Sequence, residues 1–284
     1  MTTLFDVLKK VYLDLGHLEV STATGGAKSY ITDTKLGEKY GDDDIIGNIV
    51  FIIKADGAAP EGEASYVSSY VQSTNTINIS PALTVAVASG DRYGLAKNII
   101  TLETMKSLVN NALQSMGTIQ LADTSLTTIA DTSEYSLPVA LKYKVNGVQI
   151  QTNTSSGYNQ WQDIGGWYII NSAAGSTGLL CFNEELPSGY TLKLLYESEH
   201  PEVTELTDNI SETFHTEHIA AFVVDKALEY QIRRTGGTDP FLMQTSNKAM
   251  QDAENAKRVY SQTKRKKPKY ITPYNFGDSY DNEG

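Results

Sequence analysis

The sequence predicts an α+β fold: a helical bundle made of four separated helices, carrying two inserted β-rich regions of barrel or sandwich type and ending in an extended C-terminal tail. Three observations predict it. Stretches with apolar residues at helical spacing alternate along the chain with stretches of strand-like alternation. The last two helical stretches are separated only by Gly236-Gly237-Thr238, a link short enough to fold one back on the other. Beyond them a basic run opens at Lys264, and Pro268 and Pro273 bar another long helix. This order divides the chain into an N-terminal bundle helix (1–18), a β-rich insertion (19–98), a second bundle helix (99–117), a second β-rich insertion (118–206), two long bundle helices (207–263) and a docking tail (264–284). Such a plan suits a ring-forming or docking protein better than an enzyme built around one cleft.

Leu4, Phe5, Leu8, Val11, Tyr12 and Leu15 fall on one helical face, and Gly16 stands where a C-terminal stop belongs. From Ser21 to about Ala96 the pattern changes to strands at 48–53, 65–70 and 76–80, punctuated by Gly25-Gly26, Gly57, Pro60-Glu61-Gly62 and Gly90-Asp91. Short strands at this spacing suggest a small barrel or sandwich. A second helix carries Leu102, Met105, Val109, Ala112, Leu113 and Met116 on one stripe, with Gly117 as its stop. In the next β region, Asn146-Gly147 between alternating residues predicts a type I′ hairpin, and 167–170 and 191–196 supply further strands. A third helix is expected from about Glu212 to Arg234, with Ile219, Phe222, Val223, Ala227 and Tyr230 on its apolar face, Arg233 and Arg234 complementing its C-terminal dipole and Gly236 ending it. The fourth opens with Asp239 as N-cap and Pro240 at its first position, and passes through Ala249, Ala253, Ala256 and Tyr260. Bundle and ring packing is assigned to Leu102, Met105, Val109, Leu113, Phe222, Val223 and Tyr230, and the helix break to Gly236, Gly237 and Asp239.

The 284 residues suffice for two or three domains with cores of their own. A hydrophobic share of 40% beside 20% charged residues is ordinary for a globular chain. No apolar run approaches a membrane span, and the opening Met1-Thr2-Thr3-Leu4-Phe5-Asp6 predicts no signal peptide. The formal charge of −11 argues against non-specific nucleic-acid binding, which needs Lys and Arg on phosphates, while an acidic wall lets DNA pass without adhesion. Lys264, Arg265, Lys266, Lys267 and Lys269 form a basic run that soon gives way to Asp278, Asp281 and Glu283. With Tyr270, Tyr274 and Phe276 behind it, this segment is too poor in apolar residues for a core of its own and suited to ordering on a partner.

Catalytic patterns are weak. The single Cys181 leaves no internal disulfide and no multi-cysteine metal site, and its apolar neighbours mark a buried small hydrophobe. His215 and His218, three apart with Glu217 between them, allow a metal site to be imagined, but they suit the exposed first turn of a helix. Asp42-Asp43-Asp44 supplies oxygen ligands without the spacing of a calcium loop, so an acidic turn is expected. Trp161 and Trp167 read as core aromatics before sugar platforms. No Gly-x-Ser-x-Gly elbow and no phosphate loop occurs. The expectation is no enzyme, no catalytic residue, no metal and no cofactor.

Two parts of the sequence carry a resemblance. Thr22-Ala23-Thr24-Gly25-Gly26, then Asp42-Asp43-Asp44, then residues 47–52 and 62–68 resemble a segment of minor virion proteins of tailed bacteriophages. Residues 101–263 are similar to phage head–tail adaptor (connector, or neck) proteins, in which a helix like 102–116 precedes a β insertion and long helices follow with a Gly-Gly-x-Asp break, here Gly236-Gly237-Thr238-Asp239. The resemblance implies a structural virion protein: a homo-oligomeric, dodecameric ring beneath the portal, assembled in the host bacterial cytoplasm and placed at the neck. Its helices would surround a channel through which DNA passes without specific binding. The implied partners are the portal and the tail or neck proteins, with no membrane, and the tail would grip the portal through Lys264, Arg265, Lys266, Lys267, Lys269, Tyr270, Tyr274 and Phe276. The large N-terminal β region departs from the simplest adaptors. The alternative is a tail fibre or baseplate component whose β-domain binds a host glycan, and a tail hydrolase domain is a third reading.

Overall fold

The computed structural model describes residues 2–55, 61–137, 145–153, 160–170, 178–237 and 239–260. Thr2–Thr3 (β1) pairs antiparallel with Asn209–Ile210, so the chain begins pinned to a segment two hundred positions away. Thr3 then caps helix α1, Leu4–Asp14. Its hydroxyl accepts the Asp6 backbone N–H, and the Asp6 carboxylate accepts the Thr3 N–H, a reciprocal capping box.

The N-terminal β region comprises β2 (Leu18–Thr22), β3 (Gly25–Gly26), β4 (Tyr30–Thr32), β5 (Ile49–Lys54), β6 (Ala64–Val71), β7 (Thr76–Ser80) and β8 (Arg92–Ala96). These form one antiparallel sheet in the order β2-β8-β5-β6-β7-β4-β3. Its first and last strands are successive parts of one segment. The Ala23 N–H donates to Asp91 O on the β8 side, and the next residue, Thr24, donates to Thr32 O on the β4 side. Residues 18–26 therefore join both ends of the sheet, which curls into a small barrel.

Period-two alternation sends each strand's side chains to two cores. On β5, Val50 and Ile52 enter the barrel interior with Ile31, Tyr70, Ile77, Tyr93 and Leu95. Ile49 and Phe51 point outward and are just as buried, because helices cover that wall. Tyr70 and Val67 both face inward despite their odd spacing, since a bulge between Val67 and Ser69 shifts the register of β6. On the covered wall, a Cβ at Gly94 would stand 2.7 Å from Leu18 Cδ1 and 3.0 Å from Ile53 Cδ1, so only glycine fits there without displacing them.

Helix α1 seats Phe5 and Tyr12 on Phe51, with ring centroids 5.9 and 5.6 Å away. Helix α2 (Leu102–Ser115) adds Met105, Val109, Ala112 and Leu113 to the same core. Its buried Asn110 clamps the backbone of Val203, donating to the carbonyl and accepting from the N–H, both at 2.9 Å.

The second β region is a sandwich. β9 (Thr118–Thr127), β11 (Val145–Asn153), β12 (Gln160–Asp163) and β15 (Thr191–Glu199) form a sheet in the order β12-β11-β15-β9. β10 (Glu134–Ser136), β13 (Trp167–Ile170) and β14 (Leu179–Phe182) form a second in the order β10-β14-β13. Tyr135, Val148, Leu180, Phe182, Leu192 and Leu194 fill the space between them. The long β9–β15 pair starts at Thr118 opposite Glu199, where Ile119 still belongs to the helical core, and runs to Thr127 opposite Thr191. Asn146-Gly147 does not turn a hairpin. Gly147 pairs with Leu195 inside β11 and Asn146 is the extra residue of a bulge, its amide donating to Glu197. Pairing along β15 overrides the local turn preference.

β16 is the Asn209–Ile210 strand that receives β1. Held extended there, the chain starts helix α3 (Thr216–Thr235) four residues later than the polar stretch at Glu212 suggests. Gly236 ends it at φ +76°, left-handed backbone that suits glycine. Helix α4 (Pro240–Val259) returns along α3, with Asp239 accepting from the N–H groups of Phe241 and Leu242.

The described residues thus form sixteen strands in sheets of seven, four, three and two, with four α-helices. The chain is mostly β-sheet, and the expected four-helix bundle with two β insertions is not its fold. Helical periodicity reveals a buried stripe but not what covers it. The stripe of α1 lies on Phe51 of the barrel wall, so a sheet stands where the bundle would need a helix. α4 buries Ala249 alone and packs along the outside of α3.

Candidate functional site

The α3–α4 hairpin combines close internal packing with exposed apolar side chains. α4 covers Leu242, Ala249, Ala253 and Ala256 on its inner face, where the three alanines permit close approach to α3. It leaves Phe241 76% and Val259 73% exposed on one flank, with Met243 and Met250 exposed on the opposite flank. Phe241 and Val259 are eighteen positions apart, five turns of helix, and share one face. At the other end of the hairpin, His215 precedes α3 and stacks on Tyr260, the C-cap of α4. Burial lowers the pKa of the neighbouring His218, helped by Lys257 and His215. Lys10 of α1 reaches Glu217 at 3.2 Å and ties this corner to the core.

Of the packing residues expected from sequence, Leu102, Met105, Val109, Leu113 and Val223 lie in the helical core and Phe222 packs against it. Tyr230 is 41% exposed and outside that cluster. Gly236, Gly237 and Asp239 make the turn into α4: the Gly237 N–H donates to Ile232 O, and Asp239 caps the next helix. Arg233 pairs with Glu229, and Arg234 donates to Ile99 O at 3.0 Å. Lys264, Arg265, Lys266, Lys267, Lys269, Tyr270, Tyr274 and Phe276 lie outside the described residues.

The residues that invited chemical readings have structural partners. Asp42 accepts from the Gln72 N–H at 2.7 Å, Asp43 from the Tyr70 N–H at 3.0 Å and Asp44 from the Gly41 N–H at 2.7 Å, so the acidic run fastens its turn to the end of β6. His200 is buried; its Nε2 accepts from the Ser211 N–H and its Nδ1 donates to Pro201 O, which fixes a neutral tautomer. Trp167 turns into the sandwich core, and Trp161 lies beneath the Lys193 ammonium. Burial pushes the Cys181 thiol up in pKa, with Glu134 adding to it. Among the described residues, no group of three or more His, Cys, Asp and Glu is placed to hold a metal ion, and no helix is long and apolar enough to cross a membrane.

Two arrangements escape sequence reasoning. Inside the barrel the buried Asp33 carboxylate accepts from the Tyr93 hydroxyl at 2.8 Å, from the Ser21 hydroxyl and from the Lys35 N–H. At the barrel mouth, the 40–48 loop and the 97–99 link between β8 and α2 line an open cleft of about 390 Å³. Neither shows in a linear pattern, because each unites residues brought together by barrel closure.

No protein-family model and no curated protein sequence matches this chain.

Proposed function

We propose that this chain is a structural head–tail adaptor: subunits form a ring below the portal, join capsid to tail and let DNA pass. The observation that carries the reading is α4. A twenty-residue helix that packs on α3 and buries only Ala249 leaves Phe241 and Val259 exposed on one flank and Met243 and Met250 on the other, apolar surface open to a neighbouring molecule. A neighbouring copy is the proposed cover. The basic and aromatic segment 264–284 follows this helix directly in sequence, so the same corner that joins subunits would present the portal-docking tail. Aromatic anchors filling pockets and a basic run facing acidic groups are the usual means of such docking. The charge of −11 supports passage of DNA without adhesion. The sequence resemblance to adaptors supplies the place in the particle.

The test is attachment to purified portal rings by electron microscopy. The full chain is expected to add a ring of density to the portal, and a chain ending at Gln262 or Thr263 to add none while keeping the melting curve of the full chain. Equal attachment by the truncated chain would remove the docking role of the tail, and no attachment by the full chain would overturn the adaptor reading.

A further inference from the structure

One flank of α4 carries an ordered pattern. Phe241, Lys248, Asp252 and Val259 stand at i, i+7, i+11 and i+18, which places all four within about 20° of one line along the helix. All four side chains are exposed. The line runs apolar, cation, anion, apolar over about 27 Å. Lys248 and Asp252 are one turn apart, yet among the described residues neither side chain is paired. Cation before anion is the poorer order for a pair within one helix.

This pattern is its own complement. When a second α4 lies antiparallel to the first, centred on position 250, Phe241 comes opposite Val259 and Lys248 opposite Asp252. Each pairing then occurs twice, as a twofold axis requires. A parallel arrangement would instead set Lys248 on Lys248 and Asp252 on Asp252. The opposite flank lacks the match, because the same axis sets Met243 against Lys257 and Ser246 against Glu254. Charge also selects the occupant. With one Lys and one Asp the flank is neutral, so the basic run 264–269 of the chain's own end finds a single carboxylate there, and a phosphate backbone a single cation. A second copy supplies the opposite of each charge and a cover for each apolar end.

We infer that two free chains associate through this flank, α4 antiparallel to α4, with two Lys248–Asp252 ion pairs between two Phe241–Val259 contacts. The pairing itself stands on the pattern of the helix, and only its role rests on the adaptor reading. A twofold contact cannot recur around a ring whose subunits all face one way. The pair is therefore the form that precedes assembly, and it opens before α4 meets its neighbour in the ring. Two helices meeting over this length bury less than the roughly 1,200–2,000 Å² of stable complexes, so the association is micromolar and reversible.

The experiment is sedimentation equilibrium of the full chain over a hundredfold range of concentration, with Lys248→Asp, Asp252→Lys and the double exchange. A monomer–dimer equilibrium is expected. Either single exchange sets like charges opposite each other at both places and should weaken dimerisation about tenfold. The double exchange restores opposite charges and should recover the dimer to within about threefold of the unaltered chain. Gln251→Lys, on the polar outer face of α4, should leave it unchanged. Circular dichroism accompanies each variant, and Phe241→Ser, at the exposed end of the same line, replaces any that unfolds. A monomer at every concentration, as the chain's own end laid over the flank would give, overturns the inference. So does a dimer indifferent to the single exchanges, or a double exchange no better than the singles. Portal attachment is read separately: a monomeric chain that still adds a ring to the portal removes the pair alone, and a dimer that adds none removes the adaptor reading.

Discussion

His215 lies flat against Tyr260, ring centroids 4.0 Å apart and planes 10° from parallel. The contact joins the first cap of α3 to the last cap of α4, and residues 261–284 follow it immediately in sequence. A stacked aromatic pair contributes about 0.5–1.5 kcal/mol beyond its buried area. Tyr260→Ala is therefore expected to speed amide hydrogen exchange in the last two turns of α4 while leaving the barrel unchanged. Equal exchange in both proteins would deny the stack its anchoring role.

Acid sensitivity should begin near neutrality. Burial lowers the pKa of His17, with Lys97 adding to it, and burial lowers that of His218, with Lys257 and His215 adding. Both start from an ordinary value of 6.5. Below that pH the unfolded chain takes up protons that the folded chain resists, so stability rises with pH in this window. It is complete above about pH 6.5 and declines as the pH falls toward the depressed folded values. The Tm should drop as the pH falls below about 6.5, and His17→Asn with His218→Asn should flatten that drop. The depressed carboxylates Glu19, Glu229 and Asp208 act lower still, below their ordinary 4.5 and 3.8.

Phe51 is where barrel and helical layer meet, with Phe5 and Tyr12 both on its ring. Phe51→Ala opens a cavity on the buried wall and should cost about 3–5 kcal/mol in denaturant unfolding. Phe241→Ala, on the exposed side of α4, should change the stability of the isolated chain by less than about 0.5 kcal/mol. A small effect at Phe51 would place the helical layer elsewhere.

The buried Asp33 carboxylate holds the barrel through Tyr93, Ser21 and Lys35. Burial and then this carboxylate push the Tyr93 hydroxyl far up in pKa, so it stays a donor at all physiological pH. Tyr93→Phe removes one hydrogen bond to a charged group and should destabilise by about 1.5–3 kcal/mol. Asp33→Ala strands the Tyr93 and Ser21 hydroxyls together and should cost more, read by the same unfolding curves.

Much of the local structure was legible and the assembly was not. Leu4 to Tyr12 and Leu102 to Leu113 announce α1 and α2 by periodicity, and Asp239-Pro240 announces the start of α4, because caps and buried stripes are local. The runs at 48–53, 65–70 and 76–80 match β5, β6 and β7 for the same reason. Barrel closure rests on Ala23 and Thr24 donating in opposite directions, to Asp91 and Thr32, a relation between residues up to 68 positions apart. The identity of what covers α1 depends on Phe51 facing outward, which a fully apolar strand does not disclose. Asn146-Gly147 misleads because its turn preference is weaker than a long ladder with β15. The cleft needed Lys97-Asn98-Ile99 to meet the 40–48 loop, which only the closed barrel brings about.

We propose that this chain builds the neck of a virion through α4 and the segment after it. Immunogold electron microscopy of virions that carry the chain, with mass spectrometry of the same particles, decides this. Label confined to the junction of head and tail, with the chain present among the particle's proteins, is the result predicted. Label at the fibres or tail tip, or absence of the chain from the particles, would contradict it.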